Sequence, residues 1–270
     1  MNITYLLYFY LFFEIVIVDT LLIKNKNIKN EIYNKYSIHK KLNYKNARKI
    51  LHSELNDIII YGNQTYKKNI NCEHIWCRTY FDYKEPMNSD LHILYLANAK
   101  LNSHRQSYKF NEIYSNYTLL DEYGNKIHNI TGLDITKLCK KNTKNKVFEP
   151  PDISKGKIAR SCAYFMLVYP DYSHYLPKLI DVNILVKWNR NYNVDYKEIY
   201  KNEMINIYQK NINPFIKYPI LVELFFSNKY DLLNIYKLSI ITIFTIIISL
   251  FMRLYIKIYM KIICNIYNDK

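Results

Sequence analysis

Cys72-Glu73-His74-Ile75-Trp76 is the stretch that decides the fold of this chain, together with Ser89-Asp90-Leu91-His92 and Leu101-Asn102-Ser103-His104-Arg105. These stretches place a carboxylate beside an imidazole, then an amide and a guanidinium about 30 residues later. Carboxylate and amide oxygens suit a hard cation such as Mg²⁺. A neutral imidazole can take a proton from water, and an arginine can hold a phosphate oxygen. The combination is typical of a one-metal nuclease site.

The local sequence predicts how these side chains are presented. The residues around Ile75 and Trp76 favour a short strand, and residues 91–94 favour a second one. Residues 97–105 contain no Gly or Pro and predict a helix. The expected layout is strand, strand, helix, with the acid and the histidine on the first strand and Asn102 on the helix.

The rest of the chain adds helices. Apolar spacing predicts them over residues 154–169, 176–188 and 194–209, and a Pro ends or follows the first and the third. Residues 111–147 are interpreted as loops and irregular strands. The prediction is an α+β fold, mainly helical, with apolar segments at both ends.

The domain boundaries follow composition. We expect a signal peptide or N-terminal anchor over residues 1–19, a basic linker over 20–40, and a globular domain over 41–222. The apolar run 235–252 is long enough for a transmembrane helix, and a basic tail follows over 253–270. A buried helix is the alternative for each apolar end.

Charge and cysteine content limit the function classes. Lys+Arg 38 against Asp+Glu 23 gives a net charge of +15, which favours nucleic acid or an anionic membrane surface as partner. Enrichment of lysine by codon bias is the alternative explanation. Five cysteines form no disulfide framework. Cys72 and Cys77 are expected as buried thiols or one disulfide, and a zinc site with His74 is a weaker alternative.

Four ordered blocks resemble the bacterial endonuclease I family, whose members are secreted or periplasmic nucleases that do not distinguish the sugar. The resemblance covers about residues 41–219. The blocks are Glu73-His74-Ile75-Trp76; Asp90-Leu91-His92-Ile93-Leu94 with Asn102 and Arg105; Lys155-Gly156-Lys157-Ile158-Ala159-Arg160; and Trp188-Asn189 with Asn202-Glu203 and Asn213-Pro214-Phe215.

The resemblance implies a mainly helical α+β domain around a ββα-metal (His-Me) finger. It implies a metal-dependent endonuclease that acts on DNA backbones with low sequence specificity, with RNA left open as a second substrate. We expect a monomer that is secreted or, through the apolar C-terminal run, tethered to a membrane. The cofactor would be Mg²⁺, or another divalent cation such as Mn²⁺ or Ca²⁺. The implied site residues are His74 as general base, Glu73 and Asn102 as metal ligands, and Arg78, Arg105 and Arg160 as phosphate contacts.

Several neighbours of these positions depart from the family pattern, namely Cys77, Ile93, Ser103 and Ser107. Changed supporting residues can weaken metal binding by about 10–100-fold. The alternative function is therefore a catalytically weakened, nuclease-derived protein that binds nucleic acid or a membrane. Arg160 also has an alternative role, as the partner of an acid such as Glu203.

Overall fold

The computed structural model describes residues 28–62 and 69–226, together with positions 249, 250, 252, 253 and 256. The chain divides into two compact units, Met1–Phe225 and Phe226–Lys270. The six described positions of the second unit, of which Phe226 is the first, are all helical.

The apolar ends fall largely beyond the described residues. The predicted leader or anchor at 1–19 lies outside them, as do most of the predicted transmembrane segment 235–252 and most of the basic tail 253–270. Among the residues that are described, no helix combines the length and the apolar character needed to cross a bilayer.

In the described part of the first unit, the α-helices are α1 (Ile28–Tyr36), α2 (Tyr44–Ser53), α3 (Ala99–Arg105), α4 (Asp152–Val168), α5 (Leu176–Leu179), α6 (Val182–Asn191), α7 (Tyr196–Gln209), α8 (Pro214–Lys217) and α9 (Ile220–Phe226). The strands are β1 (Ile59–Tyr61), β2 (Ile70–His74), β3 (Leu94–Asn98), β4 (Lys109–Phe110), β5 (Thr118–Leu120), β6 (Lys126–Ile127), β7 (Cys139–Asn142) and β8 (Val147–Glu149).

The predicted strand–strand–helix unit is present. The first sheet has the order β1-β3-β2, and β2 pairs antiparallel with β3 so that Glu73 lies opposite Tyr95. Helix α3 follows β3 directly, because the side chain of Asn98 accepts hydrogen bonds from the first-turn amides of Lys100 and Leu101. We call β2, β3 and α3 the finger.

The second strand of the finger begins three residues later than the pattern predicted, at Leu94 rather than Leu91. Asp90 explains the shift. Its main-chain carbonyl accepts from Ile93 N at 3.2 Å and its Oδ1 accepts from His92 N at 3.0 Å, which closes a turn over these residues. The strand can start only where this turn ends.

Residues 111–147 contain loops and short strands as expected, but the expectation gave no sheet for them. They contribute β5, β6, β7 and the first residue of β8 to a five-stranded sheet of order β4-β8-β7-β5-β6. Each of these strands is two to four residues long. Segments of that length are too short to display the alternating pattern by which a half-buried strand is recognised.

The expected basic linker 20–40 is also corrected, because α1 occupies part of it. Ile32 is buried, and the main chain just after the helix is held by a hydrogen bond from Lys40 N to Gln209 O. The folded part therefore begins before residue 41. Among the α1 side chains whose burial is described, Ile32 alone is buried, so most of this helix faces solvent.

Helix α4 is the centre of the helical layer, and most of its side chains are buried. Gly156 allows this packing, since a Cβ there would overlap the carbonyl oxygen of Tyr192. The finger docks on the same helix: Trp76 stacks on Phe165 with ring centroids 4.1 Å apart. Buried Asp90 accepts hydrogen bonds from Tyr164 and Tyr169, at 3.0 and 2.7 Å.

Arg160 lies in the interior of this layer rather than at a nucleic-acid surface. Its guanidinium donates two hydrogen bonds to Glu198, at 2.7 and 2.6 Å, and one to the Oδ1 of Asn189. The arginine and Glu198 are both 1% exposed. The alternative role for Arg160 was therefore right in kind, although its acid is Glu198 and not Glu203.

Removing the arginine from this pair should be costly. We expect Arg160→Met to lower the free energy of unfolding by about 3–5 kcal/mol, because Glu198 would stay buried without a counter-ion. Urea denaturation measures the change.

Arg190→Met is the matched control. Arg190 also makes two hydrogen bonds to one carboxylate, on Glu223, but its side chain is 60% exposed. Its loss should cost less than about 1 kcal/mol. Equal losses for the two variants would contradict a buried structural role for Arg160.

Candidate active site

Glu73 is buried within the finger and held at one oxygen. The hydroxyl of Tyr61 donates to Oε1 at 3.2 Å, and the Nε of Arg105 lies 3.4 Å from the same atom. Burial raises the pKa of Glu73 to about 7, against the lowering effects of Arg105 and Tyr61. A cation bound nearby would lower this pKa and favour the ionised carboxylate.

Asn102 is half-buried on α3 and has a fixed orientation. Its amide nitrogen donates to Asn71 Oδ1 at 2.8 Å and to the carbonyl oxygen of Cys72 at 3.3 Å. Since a main-chain carbonyl only accepts, the NH₂ group must face β2. The Oδ1 of Asn102 is left without a hydrogen bond among the described residues and can serve as a ligand.

The geometry brings Glu73 and Asn102 to the same side of the finger. Asn71 and Glu73 are two residues apart on β2, so their side chains share one face. Asn102 contacts Asn71, and Arg105, one turn further along α3, contacts Glu73. Helix α3 therefore covers the face of β2 from which Glu73 projects.

This donor set fits a hard divalent cation. Mg²⁺ is usually bound through one or two protein carboxylates and retains several waters, so a carboxylate and an amide oxygen are sufficient. The described residues contain no group of three or more His, Cys, Asp or Glu side chains placed to hold a metal. Cys72 and Cys77 are both free thiols, and Cys77 is buried, which gives no support to the zinc alternative or to a disulfide between them.

His74 ends β2 and is held in one tautomer. Its Nε2 lies 2.9 Å from the main-chain oxygen of Asn88, which can only accept. The proton therefore resides on Nε2, and Nδ1 presents a lone pair with no hydrogen-bond partner in the described part of the chain. Burial lowers the pKa of His74 to about 4, so the imidazole is neutral at pH 7.

Glu73 and His74 do not share a face of β2. Adjacent strand residues point to opposite sides, and the ring of His74 accordingly lies near Tyr44 and Phe81, at centroid distances of 5.7 and 6.2 Å. Since the strand ends at His74, a phosphate reaching both side chains must lie across this end of β2.

Arg78 is the predicted arginine that remains available at this end. It is half-buried, lies 4.9 Å from the ring of Tyr83 and 6.0 Å from that of Tyr44, and has no ion pair among the described residues. Its charge lowers the pKa of both Glu73 and His74. The guanidinium therefore acts on the site electrostatically and is free to bind an anion.

Arg105 does not fit the expectation of a phosphate contact. It is 2% exposed. Its guanidinium is used by Glu73, by the Ile75 and Gln106 carbonyls at 3.0 and 2.8 Å, and by Cys77 Sγ at 2.9 Å. Arg105 positions the finger, and Arg160 lies in the helical layer.

Three residues that contribute to the site were not predicted from the sequence: Tyr61, Tyr44 and Asn88. Tyr61 and Tyr44 belong to elements distant in sequence from the finger, and the chain has 29 tyrosines, so neither carried a signal. Asn88 acts through its main-chain oxygen, for which side-chain identity gives no clue.

Comparison with known proteins bears on this site. The sequence model of the Endonuclease I family matches residues 17–220. The chain is 31% identical over 147 residues to Endonuclease-1 of Buchnera aphidicola subsp. Baizongia pistaciae, covering 54% of this chain and 51% of that protein.

Two further relatives are named as ribonucleases. The Extracellular ribonuclease of Bacillus subtilis is 27% identical over 189 residues, covering 61% of this chain and 59% of that protein. The one from Bacillus amyloliquefaciens is 26% identical over 223 residues, covering 71% of each. The chain thus spans about half to three fifths of the first two relatives. Because the family model matches more than half of the chain, and its span includes the whole finger, this protein belongs to the endonuclease I family.

Proposed function

We propose that this protein is a divalent-metal-dependent endonuclease that hydrolyses phosphodiester bonds of DNA and RNA with low sequence specificity. The observation that carries the proposal is the fixed tautomer of His74 at the end of the strand that also presents Glu73. With the oriented Oδ1 of Asn102, the finger offers a base and two oxygen ligands around one strand end. Membership of a nuclease family supports the same conclusion.

In the proposed reaction, water attacks the phosphorus atom while Nδ1 of His74 accepts its proton. The hydrogen bond from Nε2 to the carbonyl of Asn88 stabilises the imidazolium that forms. Arg78 holds a non-bridging phosphate oxygen. Glu73 and Asn102 would hold the cation, which supplies Lewis-acid stabilisation of the phosphate charge and of the departing 3′-oxygen when bound.

The substrate range is proposed from chemistry and from the relatives. Arginine and metal contacts address the phosphate group, which carries no sequence information, so low sequence specificity follows. One relative is named an endonuclease and two are named extracellular ribonucleases. The ribonuclease names support RNA as a substrate and secretion as the route to it, and DNA is proposed because its phosphodiester backbone presents the same reacting group.

The first test is plasmid nicking by the purified full chain in the presence of Mg²⁺. We expect nicking by the wild type and a loss of at least about 100-fold in His74→Ala, which is the ordinary contribution of a general base. His104→Ala is the control. His104 lies on α3, and its Nε2 is hydrogen-bonded to the main-chain oxygen of Gly124 and not to the residues at the end of β2. A wild-type protein that binds DNA but never nicks it would favour the weakened-nuclease alternative, and equal nicking by His74→Ala would rule out the base.

Metal binding has its own test. Isothermal titration with Mn²⁺ should show one site in the wild type and an affinity at least about 10-fold weaker in Glu73→Gln, because a neutral amide replaces the charged ligand. Glu203→Gln, which alters an exposed acid on α7, should leave the affinity unchanged. Identical affinities for the wild type and Glu73→Gln would remove Glu73 from the metal site.

Substitution of Arg78 and of Arg105 should have different effects on nicking and on the free energy of unfolding. Arg78→Ala should reduce nicking while leaving the free energy of unfolding within about 0.5 kcal/mol of wild type, as expected for a side chain outside the core. Arg105→Ala should lower that free energy by about 3–5 kcal/mol, because Glu73 would lose its buried partner. Urea denaturation and nicking of the same samples give both values, and a stable Arg105→Ala protein would contradict the positioning role.

A further inference from the structure

A groove of about 540 Å³ runs along the outer side of α2, beside the end of β2. Neither the finger residues nor the proposed chemistry makes use of it. Its lining residues in the described part of the chain all come from α2: Tyr44, Lys45, Arg48, Lys49, His52 and Ser53.

The sequence of α2 explains why the groove is basic. Lys45, Arg48, Lys49 and His52 are spaced by three, four and seven residues, which places them on one face of a helix. The opposite face is apolar and buried, and Ala47 belongs to it. The cations are therefore presented together on the side that faces solvent.

No acid of the described residues neutralises the charge of this face. Lys45, Arg48 and Lys49 are exposed, and none of them forms an ion pair with an acid among the described residues. Helix α2 itself contains no Asp or Glu. Solvated helix faces commonly mix both signs, so three unpaired cations on one face form a positive strip suited to a polyanion. Burial and the charge of Arg48 lower the pKa of His52, so the three cations carry the charge of the strip.

The basic strip is continuous with the active site through Tyr44. The Tyr44 ring lies 5.7 Å from the ring of His74, the proposed base. The guanidinium groups of Arg48 and Arg78 lie 5.9 and 6.0 Å from the same ring. Tyr44 thus contacts both Arg78, which is proposed to hold the scissile phosphate, and Arg48 of the strip.

We infer that this face of α2 binds the phosphodiester backbone of the substrate strand on one side of the scissile phosphate. The inference rests on the proposed function, since it concerns the same substrate. Lys45 and Lys49 lie about 6 Å apart along α2, and successive phosphates of one strand advance about 3.4 Å. The strip is therefore long enough for two or three neighbouring phosphates, which agrees with its three cations.

Binding without cleavage tests the inference. The full chain is titrated with fluorescein-labelled 16-mers, one single-stranded and one duplex, in EDTA and at several salt concentrations, with anisotropy as readout. The variant combines Lys45→Gln, Arg48→Gln and Lys49→Gln. We expect its slope of log affinity against log salt to become shallower by about 2 on the single strand and about 3 on the duplex, because up to three phosphate contacts are lost.

The control removes the same number of positive charges elsewhere. Lys126→Gln, Lys144→Gln and Lys217→Gln change three exposed lysines outside α2 and should alter the slope by less than about 1. Equal changes in the two triple variants, or no change in the α2 variant, would overturn the inference. EDTA prevents turnover, so this assay measures binding independently of cleavage. A protein that shows the expected slopes here and no nicking in Mg²⁺ would contradict the proposed nuclease function and still support backbone binding by α2.

Discussion

The buried guanidinium of Arg105 is the interaction on which the finger depends. An arginine so enclosed is tolerated only when its charge and its donors find partners. Glu73 supplies the charge, and the carbonyls of Ile75 and Gln106 supply acceptors. The contacts with Glu73 and Ile75 join the end of α3 to the end of β2, while the Gln106 carbonyl holds the guanidinium from the end of α3 itself. The carboxylate proposed to hold the metal is consequently fixed in place by the same pair that stabilises the finger.

The departure of Cys77 from the family pattern belongs to this arrangement, since its sulfur accepts a hydrogen bond from Arg105. The finger is in turn fixed to the helical layer by Asp90, which accepts from Tyr164 on α4 and from Gln209 on α7. Metal ligands and base are thereby carried on a unit whose position is set by buried polar contacts. A site built on regular elements in this way can hold its geometry without the substrate.

The finger could be predicted because the same short stretches, residues 72–76 and 89–105, contain both its functional side chains and the residues that determine its strands and helix. Asn102 had to lie on the helix once residues 97–105 were helical. The second sheet could not be predicted, because its strands are too short to show a period. The roles of Arg105 and Arg160 were equally hidden, since sequence shows that a side chain is charged and does not show that it is buried. The basic face of α2 was not predicted, because its relation to the site depends on the contact between Tyr44 and His74.

The end of β2 carries the neutral imidazole of His74 on one face and the carboxylate of Glu73 on the other, with Asn102 on the same side as Glu73. Arg78, which has no ion pair among the described residues, follows the strand. The most direct test is a crystal structure of the wild-type protein grown with Mn²⁺, with the metal located by its anomalous scattering. The account predicts a single strong peak within about 2.5 Å of a Glu73 carboxylate oxygen and the Oδ1 of Asn102. A metal bound elsewhere, or a saturating Mn²⁺ concentration that leaves this place without a peak, would contradict it.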